Sequence, residues 1–235
     1  MVALPEYFAL MSSDETAKVH ACEQEGSGSV QDFLSETAAR HGIWIVGGTL
    51  PLAADVPGKT RNAVLVFDSC GNRVARYDKI HLFGFEQKEE RYDEAASIEA
   101  GGRVVCFDSP AGRVGLAVCY DLRFPELFRA MGKVDLIVLP AAFTYTTGRV
   151  HWEALLRARA IENQCYLAAA AQGGVHSYGR RTWGHSMIID PWGDILACRP
   201  EGAGVAMAEL DPDRLALVRR CLPALEHRRL DLFSS

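Results

Sequence analysis

Among seven cysteines, only Cys119 lies where thiol chemistry has a scaffold. It sits in Val114-Gly-Leu-Ala-Val-Cys119-Tyr-Asp-Leu-Arg-Phe-Pro-Glu126, where a buried strand meets a sharp turn. Pro125 then suits the first turn of a helix carrying Leu127 and Phe128. Such a junction lifts a side chain above its sheet and leaves following N–H groups free to hold an oxyanion. A nucleophilic thiol also needs a base and a cation or donor for the developing charge. Two residues at similar strand exits supply those types. Glu6 follows Val2-Ala-Leu-Pro5, and Lys79 follows the strand ending in Arg76-Tyr-Asp78. A carboxylate near a thiol can act as general base, and a fixed ammonium can stabilise thiolate and oxyanion. A buried structural cysteine is the commoner fate of a single cysteine, but the junction favours function for Cys119; taken singly, Glu6 and Lys79 read as solvated charges. Their joint occurrence with Cys119 at strand ends makes catalysis the competing reading. Cys22, Cys70, Cys106, Cys165, Cys198 and Cys221 lack such a junction and read as buried structural residues.

The remaining polar residues are less distinctive. His81, His151 and His185 read as satisfied polar groups at the edge of a core, and no HExxH-like cluster offers a metal site. Arg180-Arg181, in the loop 173–183, is either a hydrated surface pair or a clamp for a carboxylate, which arginine binds bidentately. Arg123 offers the same alternative, set against an internal ion pair with Glu126 or Asp121. A nucleotide-binding reading would rest on Gly26-Ser-Gly28 alone and is discounted.

The elements that must position these residues follow from periodicity. Val30, Phe33, Leu34, Thr37 and Ala38 keep helical spacing, with Ser29 and Asp32 supplying cap chemistry and His41-Gly42 the stop. Ile43–Val46 reads as a buried strand, followed by the hairpin Asn62–Asp68 and Arg73–Asp78. A second hairpin joins Val104–Asp108 to Val114–Cys119 through Pro110-Ala-Gly112. Val134–Leu139, Cys165–Ala171, Ser186–Asp190, Ile195–Cys198 and Gly204–Glu209 read as further strands. His151–Asn163 reads as a helix with Trp152, Leu155 and Leu156 inward and Glu153/Arg157 paired outward. Hairpins mixed with helices over buried strands predict layered α/β sheets, not a purely parallel one.

Composition narrows the class. At 235 residues one domain spanning 1–235 is the starting expectation. The net charge of −5 gives no basic excess for nucleic acid. No apolar run spans a membrane and the start lacks a signal-peptide pattern. An odd number of cysteines without CxxC pairs fits reduced thiols and a cytoplasmic location.

Leu4-Pro-Glu6-Tyr-Phe8, Tyr77-Asp-Lys79-Ile-His-Leu-Phe83 and Gly115–Glu126 resemble the Glu, Lys and Cys motifs of the nitrilase (carbon–nitrogen hydrolase) superfamily. Leu139–Gly148, His151–Ala160 and Trp183-Gly-His-Ser186 extend the resemblance over essentially the whole chain. It is similar most of all to the Nit branch of omega-amidases and deaminated-glutathione amidases. The stretches Ala158–Tyr166 and Arg219-Arg220 with His227-Arg-Arg229 look closer to the latter. The resemblance implies a four-layer αββα sandwich, a homodimer or higher homo-oligomer, no cofactor and no metal. It implies that Glu6 takes the proton of Cys119, which attacks an amide carbon to form a thioester. Lys79 and the Tyr120 N–H would hold the oxyanion, and Glu94 would be the family's second glutamate, with Glu86, Glu89 and Glu90 nearby as alternatives. Phe143 and Thr144 match the segment lining the substrate pocket, and Arg123, Arg180 and Arg181 complete the candidate binding set. The expected substrate is a small carboxylated amide of the deaminated-glutathione type. The alternatives are an omega-amide such as α-ketoglutaramate, a nitrile or N-carbamoyl amide, or a non-catalytic interaction protein. Family members begin with a strand and helix before the segment matching Val2–Phe8; both are missing here, so further upstream residues are expected.

Overall fold

A computed structural model describes residues 1–12, 14–87, 90–176 and 179–229. Two sheets carry the architecture. The first has five strands: Val2–Ala3 beside Ile45–Val46, then the long strand Thr60–Phe67, which also pairs with Leu50–Ala53 and Arg73–Asp78. The second has six, in the spatial order Ile195–Arg199, Ser186–Ile189, Tyr166–Ala171, Leu136–Ala141, Gly112–Leu116 and Cys106–Ser109. Its centre is parallel, Leu136–Ala141 running with both neighbours, while hairpins close its margins.

Thr60–Phe67 shows why the sheets stack. Its side chains alternate between two apolar layers, and both faces are buried. Val64 and Val66 join Val114, Leu116 and Leu136 in the core between the sheets. Ala63, Leu65 and Phe67 face Leu34 and Ala38 of the helix Ser29–His41. The six-stranded sheet is covered by the helices Pro125–Ala130 and Tyr145–Asn163, through Leu127, Phe128, Trp152, Leu156 and Ala160. The result is the expected αββα sandwich.

Several local readings need correction. The helix Ser29–His41 is capped at its start by Glu23, whose Oε1 accepts the Val30 N–H at 2.7 Å, not by Ser29 or Asp32. Phe33 points outward and is 57% exposed, while Val30, Leu34 and Ala38 form the apolar stripe. The helix predicted from His151 begins at Tyr145, behind the N-cap Thr144. Polar Thr146 and Thr147 and small Gly148 hid that first turn from apolar periodicity. Gly148 is required there, since a Cβ would lie 2.4 Å from Trp183. The strand leading to Cys119 ends at Leu116. Gly204–Glu209 makes no ladder, because alternation marks extended backbone but does not supply a neighbour. The helix Pro212–Cys221 and the hairpin Gly84–Gln87/Glu90–Asp93 were not anticipated. Asp211 followed by Pro212 was a readable start signal for the helix. All seven cysteines are free, and of the six set aside only Cys165 is buried; Cys70, Cys198 and Cys221 are exposed.

Candidate active site

Four elements bring their ends to one pocket. Glu6 follows the edge strand Val2–Ala3 and Pro5, in a turn held by the Tyr7 N–H bonding Thr49 Oγ1 at 2.8 Å. Lys79 leaves the strand Arg73–Asp78 with its backbone still paired to Asn62 and Gly101. Glu94 opens a single 3-10 turn after the hairpin. Cys119 opens another, Cys119–Arg123, three residues beyond the strand Gly112–Leu116. Its φ of 47° is unusual for a residue with a side chain and marks local strain.

Lys79 is 0% exposed and is the hub of the site. Its ammonium donates to Glu6 Oε1 at 2.9 Å and to Glu94 Oε2 at 2.7 Å. Glu6, 1% exposed, also accepts Asn62 Nδ2 at 2.9 Å on Oε1 and the Ala142 N–H at 2.8 Å on Oε2. Glu94 accepts the Phe83 N–H at 2.8 Å on Oε2 and the Tyr7 hydroxyl at 2.8 Å on Oε1. Charges buried this deeply persist only when paired and hydrogen-bonded, and here each has several partners.

The electrostatics follow from that hub. Burial pushes the Cys119 thiol well above its ordinary value, and the Glu6 charge adds to this; Lys79 and the Ala142 N–H oppose it without prevailing. Burial works against charge on Lys79 too, but Glu6, Glu94 and Cys119 outweigh it and raise its pKa. Burial would raise Glu94, yet Lys79, the Phe83 N–H and Tyr7 hold it below the usual carboxylate range. The resting arrangement is a neutral thiol beside a cation shared by two carboxylates.

The pocket, about 280 Å³ with its open mouth, is lined by Glu6, Glu94, Cys119, Tyr120, Phe143 and Thr144 together with Arg123 and Arg180. Thus most of the expected residues share one cavity, with Lys79 directly beneath. Arg123 pairs with neither Glu126 nor Asp121; its guanidinium lies 5.2 Å from the Phe143 ring centroid and its Nη1 is 3.2 Å from His151 Nδ1. Arg180 lies 5.0 Å from the Tyr92 ring centroid and reaches the Ala142 carbonyl. Arg181 departs from the paired clamp: it is exposed and covers Tyr145 at 3.5 Å from the centroid, outside the pocket lining. Arg180 precedes the strand Arg181–Trp183, and of the two arginines it alone lines the pocket. Among the acidic alternatives to Glu94, Glu89 lies outside the described residues.

Sequence reasoning missed the residues that hold these groups in place. Tyr7, Asn62, Tyr77 and Asp121 are buried polar side chains tied to residues far along the chain: Tyr7 to Glu94, 87 positions away, Asn62 to Glu6, 56 away, and Tyr77 to Asp121, 44 away. Only the position of Tyr7, Tyr77 and Asp121 inside the motifs hinted at a task; Asn62 lies outside them. Among the described residues no cluster of His, Cys, Asp and Glu could hold a metal ion, and no helix is long and apolar enough to cross a membrane.

The layered sandwich and this pocket at its strand ends define a hydrolase acting on carbon–nitrogen bonds. The family profile described as carbon-nitrogen hydrolase matches residues 1–220, and the chain belongs to that family. It is 42% identical over 234 residues to the deaminated glutathione amidase of Yersinia enterocolitica, covering 97% of this chain and 82% of that one. Among solved structures, the Caenorhabditis elegans NitFhit protein superposes with a TM-score of 0.87 at 39% identity; the match covers all of this chain but 58% of NitFhit. Saccharomyces cerevisiae Nit3, a member of branch 10 of the nitrilase superfamily, gives a TM-score of 0.85 at 30% identity, covering 97% and 82%.

Proposed function

We propose that the chain is an amidase that hydrolyses a small carboxylated amide of the deaminated-glutathione type through a thioester on Cys119. The observation that carries this is a single buried ammonium, Lys79, bridging Glu6 and Glu94 beneath the pocket that Cys119 lines. Because the thiol is neutral at rest, its proton must leave as sulfur attacks the carbonyl carbon. Glu6 is placed to take it. Its charge bears on the thiol more strongly than that of Glu94, whose oxygens are committed to Lys79, Phe83 and Tyr7. The oxyanion is held by the Lys79 ammonium and by the Tyr120 N–H, which as one of the first in its turn has no acceptor within it. Collapse expels the amine, which takes its proton back from Glu6. Glu6 then removes a proton from water as it attacks the thioester, releasing the acid and regenerating the thiol. Glu94 keeps Lys79 charged and fixed.

The substrate class rests on the arginines in the pocket walls and on the similarity to the Yersinia amidase. Steady-state kinetics on deaminated glutathione and α-ketoglutaramate, following release of the acid, test it. Higher kcat/KM on deaminated glutathione is expected; preference for α-ketoglutaramate by orders of magnitude would reverse the assignment. Intact mass after mixing with substrate should show an acyl adduct that disappears in Cys119→Ala. The same reading includes a homodimer, supported by Val205 and Met207, which are 83% and 82% exposed on an unpaired extended segment. Sedimentation of the purified chain checks it.

A further inference from the structure

Asp121 is fully buried, and the chemistry above gives it no task. Its carboxylate gathers donors from two separate segments. Oδ2 accepts the Val118 N–H at 2.8 Å and the Tyr77 hydroxyl at 2.7 Å. Oδ1 accepts the His81 N–H at 3.0 Å and faces His81 Nδ1 at 2.7 Å, which carries its proton opposite an acceptor-only carboxylate. The spacing of these partners is what matters. Val118 and Asp121 bracket Cys119, and Tyr77 and His81 bracket Lys79. One side chain therefore ties both flanks of the sulfur-bearing residue to both flanks of the ammonium-bearing one. The far end of the turn is held as well, because the His81 ring stacks on Phe124 with centroids 3.7 Å apart.

This clamp has a physical reason to exist. Cys119 is held at a positive φ that costs of order 1–3 kcal/mol and persists only where the surroundings over-determine it. Cys119 and Lys79 also belong to different sheets, so no ladder sets their separation. We propose that Asp121 is a positioning residue that locks the Cys119 turn onto the Lys79 segment and so sets the sulfur where the ammonium can meet the oxyanion. This rests on the reading of Cys119 and Lys79 given above. A shift of about 1 Å in such a constellation costs roughly 100-fold in rate.

The test uses deaminated glutathione turnover by the full chain. In Asp121→Asn, which keeps the size but sets an amide donor among donors, kcat should fall about 100-fold with KM within about threefold. Single-turnover acylation should slow by the same factor while cooperative melting persists. Tyr77→Phe, which removes one donor, should lower kcat about tenfold with KM similarly unmoved. A folded Asp121→Asn enzyme with kcat within threefold of the parent overturns the proposal. So does recovery of full kcat on cooling, which would make the role one of stability alone. If Asp121→Asn does not fold, Tyr77→Phe decides, and kcat within twofold of the parent is the overturning result. Cys119→Ala serves as the control: turnover surviving in it brings down the reading of the site itself, whereas an inactive Cys119→Ala beside an active Asp121→Asn removes only the role of Asp121.

Discussion

Tyr7 donates its hydroxyl to Glu94 Oε1 at 2.8 Å across 87 residues of chain. Burial, reinforced by the charges of Glu94 and Glu6, pushes the Tyr7 pKa far up, so the phenol stays a donor at every working pH. Tyr7 adopts a φ of 58°, and its N–H is anchored on Thr49, so the ring has little freedom to leave. Tyr7→Phe would strip one donor from Glu94 while keeping the ring. The expected cost is about 1 kcal/mol in denaturant unfolding, with a several-fold loss of kcat as Glu94 and Lys79 loosen together. Unchanged stability and turnover would show that the phenol merely fills space.

Lys79→Met removes the cation that bridges Glu6 and Glu94 and leaves the two carboxylates buried without it. Breaking a buried ion pair from one side costs about 3–5 kcal/mol. Without Lys79 the burial that raises the Glu94 pKa is unopposed by that charge, so the penalty is full above the raised value and is relieved as pH falls and Glu94 binds a proton. Denaturant melts of parent and variant at pH 5 and pH 8 should therefore show a smaller gap at pH 5. A gap that widens toward acid would contradict the ion-pair account, and so would hydrolysis at the parent rate.

Cys119 and Lys79 are both pushed above their ordinary values, the thiol by burial and Glu6, the ammonium by its two carboxylates against burial. The forms the mechanism starts from, neutral thiol and charged amine, thus persist through the pH range where an ordinary thiol titrates, around pH 8.5. The rate constant kcat/KM should show no inflection there; a clear break near that pH would mean that the enzyme works from a preformed thiolate. Glu94 contributes in the other direction. Its folded pKa is lowered, so its share of stability is present above the unfolded carboxylate value and is lost as pH falls through the folded one. Glu94→Gln should accordingly narrow the stability difference from the parent in that acid window.

The strand ends bearing Glu6 and Cys119 were legible because a local apolar run meets a proline or a turn, and that bearing Lys79 because its strand closes a hairpin; these signals are all local in sequence. The helix Ser29–His41 and the hairpin through Asp68 and Arg73 were readable for the same reason. What stayed hidden was set by distant partners. Asp121 reads as no more than an alternative ion-pair partner for Arg123 until Tyr77, 44 positions earlier, is folded onto it. Glu23 caps a helix from six residues before its first turn, outside any local capping pattern. Gly204–Glu209 has the alternation of a strand, but no residue pattern within one segment reveals whether a neighbour exists.

Arg180 and Arg181 are adjacent in sequence but differ in consequence. Arg180 lines the pocket with its guanidinium over Tyr92, while Arg181 lies exposed over Tyr145 outside it. A charge-assisted hydrogen bond from Arg180 to a substrate carboxylate is worth about 1.5–3 kcal/mol, so Arg180→Ala should raise KM by roughly 10-fold to 100-fold. The same change should have little effect on an amide analogue lacking that carboxylate, and this comparison separates recognition from general damage to the pocket. Arg181→Ala should leave both parameters within about twofold, as surface substitutions usually do. Equal effects of the two substitutions on KM would mean that the carboxylate is bound outside the pocket, where Arg181 can reach it.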